Sequence, residues 1–278
     1  MLNLDYQNLA VSFIVVDNNS LDNTPDVIAS FQTRLPLVAL HQPIKGKSAA
    51  LNLALESQSL GEIVVFTDDD VVPDRRWLQE IVLTCNNLSD VSVFGGQVVT
   101  LWPADAPSWV KDAAFEFVFC PHKPTDQLSE YPENHYPTGA NFWVRRGVID
   151  NGARFNVKLG ASGSQAMGED SNFICTLIQK GYSVFFAPAA LVHHHAEKKY
   201  FNATEILMRA FRMGRSRIHK LNQVNQTLKQ RHRFVLIMSL MKWAVFSGFS
   251  WCGRWHIPML KKGLNNWYCL GDIFEQVK

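Results

Sequence analysis

The segment Val11 to Val16, VSFIVV, is a short apolar run, which predicts a strand buried on both faces. A cluster of turn residues, DNNSLDNT, ends it. Pro25 to Phe31 then predicts a helix, with Thr24 as N-cap and Pro25 in the first helical position. Leu37 to Leu40 is a second strand. In KGKSAALNLALESQ, the residues Ala49, Ala50, Leu53 and Ala54 recur at helical spacing. Ile63 to Thr67 is the next strand, Trp77 to Asn87 the next helix, and Val91 to Val99 a strand with Gly95 and Gly96 inside it. This alternation at short spacing predicts an α/β domain, a mostly parallel sheet with helices on both faces.

From Pro103 to Pro137 the periodicity weakens. Prolines, aromatics and charges alternate there, as in a long functional loop. Ala140 to Val144 predicts a strand, Ser171 to Lys180 a helix stopped by Gly181, and Val184 to Ala187 a short strand. Asn202 to Leu221 predicts a basic helix carrying Arg209, Arg212, Arg215 and Arg217. Phe234 to Trp251 changes character: it is apolar and about as long as a membrane span, but Lys242 sits in its middle. Lys229, Arg231 and Arg233 precede it, and Trp243, Trp251, Trp255 and Trp267 punctuate the region. That pattern predicts an amphipathic helix lying in the membrane interface, with a true span or a helix packed on the main domain as alternatives. The chain thus divides into a domain over 1–222 and a C-terminal helical, membrane-associated segment over 223–278.

Composition narrows the class. The chain has 278 residues, 47% of them hydrophobic and 19% charged, so it can bury a large core. A net charge of +2 gives no argument for nucleic acid as a partner. The five cysteines are scattered with no CxxC, which favours reduced thiols in a cytosolic setting. The opening residues, MLNLDYQNLA, lack the basic start and apolar run of a signal peptide.

Candidate chemistry gathers at strand ends, where open parallel sheets bind ligands. Asp17 follows VSFIVV, and Asp68, Asp69 and Asp70 follow IVVFT. Adjacent carboxylates resist ionising together unless a cation compensates. Hard cations such as Mg²⁺ or Mn²⁺ take carboxylate ligands together with substrate phosphate oxygens. A solvated loop capping a helix would account for the same aspartates. Glu169 and Asp170, in GED, open a predicted helix after the glycine-rich KLGASGSQAM. They suit either a cap, stabilised by the helix dipole, or a general base. His193, His194 and His195 follow a predicted strand, where alternation sends the middle one to the opposite face from its neighbours.

In order and spacing these stretches resemble the family 2 inverting glycosyltransferases of the GT-A fold. VVDNNSLDNT is similar to the family's second-strand motif. KGKSAALNLAL, then EIVVFTDDDVVPDRRWL, resembles its lysine-bearing helix and its metal-binding Asp-x-Asp. YPTGANFWVRRGVID and GEDSNFICTLIQKGYSVFFAPAALVHHH resemble its acceptor-side half. The resemblance covers about Val11 to Arg217 and implies roles. Asp17 contacts the nucleotide base, and Lys47 the base or the diphosphate. Asp68 and Asp70, with Asp69 beside them, hold Mg²⁺ or Mn²⁺ on the diphosphate, and His194 matches the histidine after the last strand. Asp170 deprotonates the acceptor hydroxyl, and Glu169 orients acceptor or base. Arg212 and Arg215 lie where the family closes a basic segment over the diphosphate. The implied partners are a nucleotide-diphospho-sugar, UDP-linked, and a glycan or lipid-linked acceptor at the cytoplasmic face of the cell membrane. Relative to the family the chain lacks an opening strand and helix, so an N-terminally shortened protein, or impaired donor binding, is expected. Two further readings share these carboxylates: a sugar-nucleotide pyrophosphorylase, and a non-catalytic membrane-associated binding protein of the same fold.

Overall fold

The computed structural model describes residues 1–133, 135–159, 168–221, 260–261, 263–264 and 267–270, with the backbone alone for 215–221. The segment Phe234 to Trp251, for which membrane contact is expected, lies outside the described residues. Among those described, no helix is long and apolar enough to cross a membrane.

In chain order the elements are β1 (Phe13–Asp17), α1 (Thr24–Phe31), β2 (Leu37–His41), α2 (Lys47–Leu55), β3 (Ile63–Phe66), β4 (Val71–Pro73), α3 (Trp77–Asn87), β5 (Val93–Leu101), β6 (Ser129–Glu130), β7 (Phe142–Arg145), α4 (Arg146–Asp150), α5 (Glu169–Gln179), β8 (Val184–His195) and α6 (Ala203–Leu221). They fall into two compact units. The first holds Met1–Thr100, Pro121–Gln165 and Glu169–His195; the second holds Leu101–Cys120, Ala166–Gly168 and Ala196–Lys278.

The sheet is mixed, which corrects the expectation of mostly parallel strands. β1 and β2 pair in parallel, Phe13 opposite Leu37 and Asp17 opposite His41. In the second sheet the order is β3-β7-β5-β8-β4, with β6 on β8. There β7 runs antiparallel to both β3 and β5. β3 and β5 therefore do run the same way, as the strand–helix–strand rhythm requires. A strand from much later in the chain has been laid between them, and local periodicity cannot reveal that insertion.

β1 is also less buried than its apolar sequence predicts. Its residues Phe13 to Val16 are half-exposed and only Asp17 is buried. The reason is its pairing: among the described residues β1 has a ladder to β2 alone. Helix α1 begins at Thr24, with Pro25 in its first turn. Thr24 is not the cap: its amide and hydroxyl both donate to the Asp22 carboxylate, at 3.0 Å and 2.5 Å.

The core of the first unit lies on both sides of β7. One cluster gathers Phe66, Phe142, Phe155, Phe173, Ile174 and Leu177; the other gathers Trp77, Ile81, Phe94, Trp143, Ala190 and Val192. Asn141, fully buried, locks the centre. Its Nδ2 donates to the carbonyls of Gln97 and Ala190, and its Oδ1 accepts from Trp77 Nε1 at 3.0 Å. The two glycines of β5 make this possible. A β-carbon on Gly96 would lie 2.3 Å from the Ala190 carbonyl and from Asn141 Nδ2, and one on Gly95 would lie 2.3 Å from the Tyr131 hydroxyl. In the second unit, Val110, Phe115, Val118 and Phe119 pack with Ile206, Leu207 and Ala210 of α6.

Candidate active site

Strand register assembles the acidic end of the first unit. β3 stops at Phe66, and Asp68 to Asp70 form the turn into β4. β4 pairs antiparallel with the far end of β8, Val71 opposite His194. That register sets Asp70 beside the histidines: the His195 amide donates to the Asp70 carbonyl at 3.0 Å, and His194 Nε2 lies 3.3 Å from Asp70 Oδ1. The histidines are thus part of a 12-residue strand that runs well past Ala187, not of a loop behind a short one. Asp68, Asp70 and His194 each offer a ligand atom, all within 4.8 Å of one another. Two carboxylates and an imidazole suit a divalent cation such as Mn²⁺ or Mg²⁺. His194 presents Nε2 to the Asp70 carboxylate, while its Nδ1 is buried without a hydrogen-bond partner. The His194 side chain holds the Asp70 carboxyl below its ordinary range, against the opposing effect of burial. Asp69 is exposed on the same turn.

Lys47 stands next to this trio. It opens α2, where the positive end of a helix is an unfavourable place for an ammonium. Carboxylates offset that: Asp68 Oδ1 accepts from Lys47 Nζ at 2.5 Å, and Glu169 lies 3.5 Å from it. Burial alone would lower the Lys47 pKa, but Asp68, Glu169 and Asp170 together raise it well above the ordinary value. Ser48 and Asn52, further along α2, fix the helix to the main body. Ser48 donates to the Leu159 carbonyl, and Asn52 exchanges two hydrogen bonds with the Phe155 backbone.

Glu169 and Asp170 form the first turn of α5, where the helix dipole favours carboxylates. Asp170 is held by backbone donors. Its Oδ2 accepts from the Gly139 amide at 2.6 Å and its Oδ1 from the Ser171 amide at 2.7 Å. Gly139 comes from the segment entering β7, so the β3–β7 pairing brings it to the same mouth as Asp68. A β-carbon on Gly139 would lie 3.1 Å from Asp170 Oδ2 and 3.3 Å from Lys47 Nζ. Gly139→Ala is accordingly expected to displace both side-chain ends by a few tenths of an ångström. On the catalytic role that the family resemblance implies for Asp170, transfer kcat should fall by ~10-fold, since misplacing a reacting group is costly. A thermal melt close to wild type would accompany it. Unchanged kcat would show that Gly139 does not set the position of Asp170.

Asp17 lies at the end of β1, buried. Its Oδ1 accepts from the Ser20 amide at 3.1 Å, and its Oδ2 lies 3.2 Å from His41 Nδ1. Hydrogen bonds from Ser20, then His41, hold its carboxyl below the ordinary range. The next residue, Asn18, stitches this end to α2. Its Nδ2 donates to the carbonyls of Gln42 and Ile44, and its Oδ1 accepts from the Gly46 amide at 2.7 Å. Gly46 sits at φ 140°, a backbone state that other residues rarely adopt, and delivers the chain to Lys47.

The first unit therefore contains Asp17, Lys47, Asp68, Asp69, Asp70, Glu169, Asp170 and His194, while Arg212 and Arg215 belong to α6 in the second. The side chain of Arg215 is outside those described. Three residues not singled out from the sequence join the site: Asn18, His41 and Gly139. Asn18 and Gly139 stand within quoted motifs, but a backbone donor and a loop stitch have no composition signature.

A sheet of this order, with acidic turns at one strand end and a carboxylate-bearing helix start beside them, is the framework of a GT-A glycosyltransferase. Residues 2–152 match the model of glycosyl transferase family 2, and the chain belongs to that family. It is similar to the succinoglycan biosynthesis protein ExoM of Rhizobium meliloti, 25% identical over 228 residues, covering 80% of this chain and 69% of that protein. It is also similar to the glycosyltransferase AglE of Haloferax volcanii, 26% identical over 208 residues, covering 74% of this chain and 62% of AglE, less than two thirds of its length. Among solved structures it resembles the mannosyltransferase PcManGT from Pyrobaculum calidifontis, a complex with GDP-Man and Mn²⁺. That likeness has a TM-score of 0.59 at 17% identity and covers 99% of this chain and 80% of the other. It shows the shared fold.

Proposed function

We propose that this glycosyltransferase moves a sugar from a nucleoside diphosphate, UDP in the first instance, to a hydroxyl of a glycan or lipid-linked acceptor, with inversion at the anomeric carbon and with a divalent cation. The observation that carries the reading is the convergence of Asp68, Asp70 and His194 with Lys47 and with Asp170 in one unit. Asp68, Asp70 and His194 would hold Mn²⁺ or Mg²⁺, which supplies Lewis-acid neutralisation of the departing diphosphate. Lys47 adds a positive charge on the same side. Asp170 accepts the proton of the acceptor hydroxyl as its oxygen bonds to the anomeric carbon, and the diphosphate leaves from the opposite face. Asp17, with His41, is the group for the nucleotide base. Arg212 and Arg215 are offered for the diphosphate from α6, on the family resemblance. The association of ExoM with succinoglycan synthesis supports a cell-surface polysaccharide as the product class. The apolar, tryptophan-rich sequence of 234–267 supports work at the cytoplasmic membrane face.

GDP-Man in the mannosyltransferase complex favours a second donor reading, a GDP-linked sugar. Release of nucleoside diphosphate from a panel of UDP- and GDP-sugars, with Mn²⁺ present, separates the two. Activity should vanish with EDTA and return with excess Mn²⁺. Equal activity in EDTA would remove the metal from the mechanism. No turnover and no calorimetric heat with any nucleotide would favour a non-catalytic protein of this fold.

A further inference from the structure

Lys47 and the candidate metal site compete for one carboxylate. Asp68 Oδ1 is one of the three ligand atoms that converge, or belongs to the carboxyl that provides it, and it already holds the Lys47 ammonium at 2.5 Å. An ammonium in that position opposes a dication in two ways. It takes up one acceptor position on Asp68 Oδ1, and it repels the incoming charge at short range. A cation entering alone must therefore loosen the Lys47–Asp68 pair. Glu169, 3.5 Å from Lys47 Nζ, offers the ammonium only part of what it gives up. A diphosphate entering with the cation changes this balance, because its oxygens can take over the Lys47 charge.

Building on the metal-dependent reading above, we infer that Lys47 is a resident counter-cation: it keeps the Asp68–Asp70–His194 trio closed to metal alone and passes to the donor diphosphate when metal and donor enter together. Metal and nucleotide then bind with strong positive coupling, and without them the ammonium offsets part of the carboxylate charge. The place of Lys47 at a helix start, dipole-disfavoured and held among the described residues by Asp68 and Glu169, makes it a charge that can be released to a better acceptor.

The test is Mn²⁺ uptake, read from the free-ion electron paramagnetic resonance signal, with and without UDP or GDP. Wild type, Lys47→Met, Lys47→Arg and Asp70→Asn are compared. Lys47→Met is expected to bind Mn²⁺ alone at least ~10-fold more tightly than wild type, since a nearby like charge has gone. The gain on adding nucleotide should shrink in that variant. Lys47→Arg should stay near wild type, and Asp70→Asn should weaken uptake strongly, with nucleotide or without. A merely structural lysine would give the opposite sign. Equal or weaker Mn²⁺ binding by Lys47→Met, or binding that appears only with nucleotide in both proteins, overturns the inference and leaves the metal site standing. Absence of Asp70-dependent uptake in all variants, with nucleotide or without, overturns the metal site itself. Lys47→Gln serves in place of the Met variant if that one fails to fold.

Discussion

Asp170→Asn is expected to lower sugar transfer by ~10³-fold, the middle of the range for losing a positioned general base. The acceptor proton needs a carboxylate to receive it, and the amide cannot do so. Geometry sharpens the expectation. Both Asp170 oxygens accept backbone N–H bonds, from Gly139 and from Ser171. An asparagine has one oxygen, so its NH2 group must face one of two amide donors, and the side chain is also turned away from its working position. The substitution removes one negative charge from the start of α5, which costs about 0.3–1 kcal/mol of helix stabilisation. Loss of turnover with a near-normal melt would therefore report on the site rather than on the fold. The informative pair of measurements is transfer kcat and Mn²⁺ uptake. Uptake should persist, because Asp170 is not among the three converging ligands. Wild-type turnover in Asp170→Asn would sink its assignment as the base.

Asp70→Asn is the second large effect. Asp70 provides one of the three ligand atoms, and its ionised form is favoured by His194. The variant keeps the shape but loses the charge on which the proposed cation site relies. Loss of a Lewis-acid contribution of several kcal/mol corresponds to ~10²–10⁴-fold in turnover. The apparent metal requirement should rise at the same time, so excess Mn²⁺ restores part of the rate. Asp170→Asn should show no such rescue. Two variants with the same rate loss and opposite responses to Mn²⁺ would separate the metal end from the base end. Turnover of Asp70→Asn at wild-type rate and wild-type Mn²⁺ requirement would exclude Asp70 as a ligand.

Much of this was readable before any coordinates. The bounds of α3, Trp77 to Asn87, follow from its helical periodicity and agree with the structure. The helical spacing within KGKSAALNLALESQ and the strand before the aspartates are equally clear, but the start of α2 at Lys47 is not. Strand order was not, because β7 reaches its place between β3 and β5 from a distant part of the chain. β4 has three residues and β6 two, too few for any alternation to register. The full length of β8 was hidden because its histidines look like loop chemistry while β4 gives them ladder partners. Gly139 and Asn18 were missed for a related reason. One acts through a backbone amide and the other through bonds to loop carbonyls, and neither depends on a recognisable residue pattern. The aspartates stand out because adjacent carboxylates at an apolar strand end repel one another unless something compensates them; Asp170, at a helix start where carboxylates are common, stands out through the family resemblance of its GED stretch.

The separate pairing of β1 with β2 has a consequence for how the first unit opens. The two strands share no described ladder with the six-stranded sheet, so their hydrogen bonds can break without breaking its own. Residues 13–46, whose strands are half-exposed, are therefore expected to open at lower free energy than the buried β5–β7 centre. Any ligand grasped by Asp17 closes that unit as it binds, and its apparent affinity includes the closing equilibrium. On the proposed role of Asp17, donor recognition and the local stability of this small parallel pair are linked. A substitution far from the sugar, anywhere on α1 or β2, can shift donor affinity simply by changing how often the pair is formed.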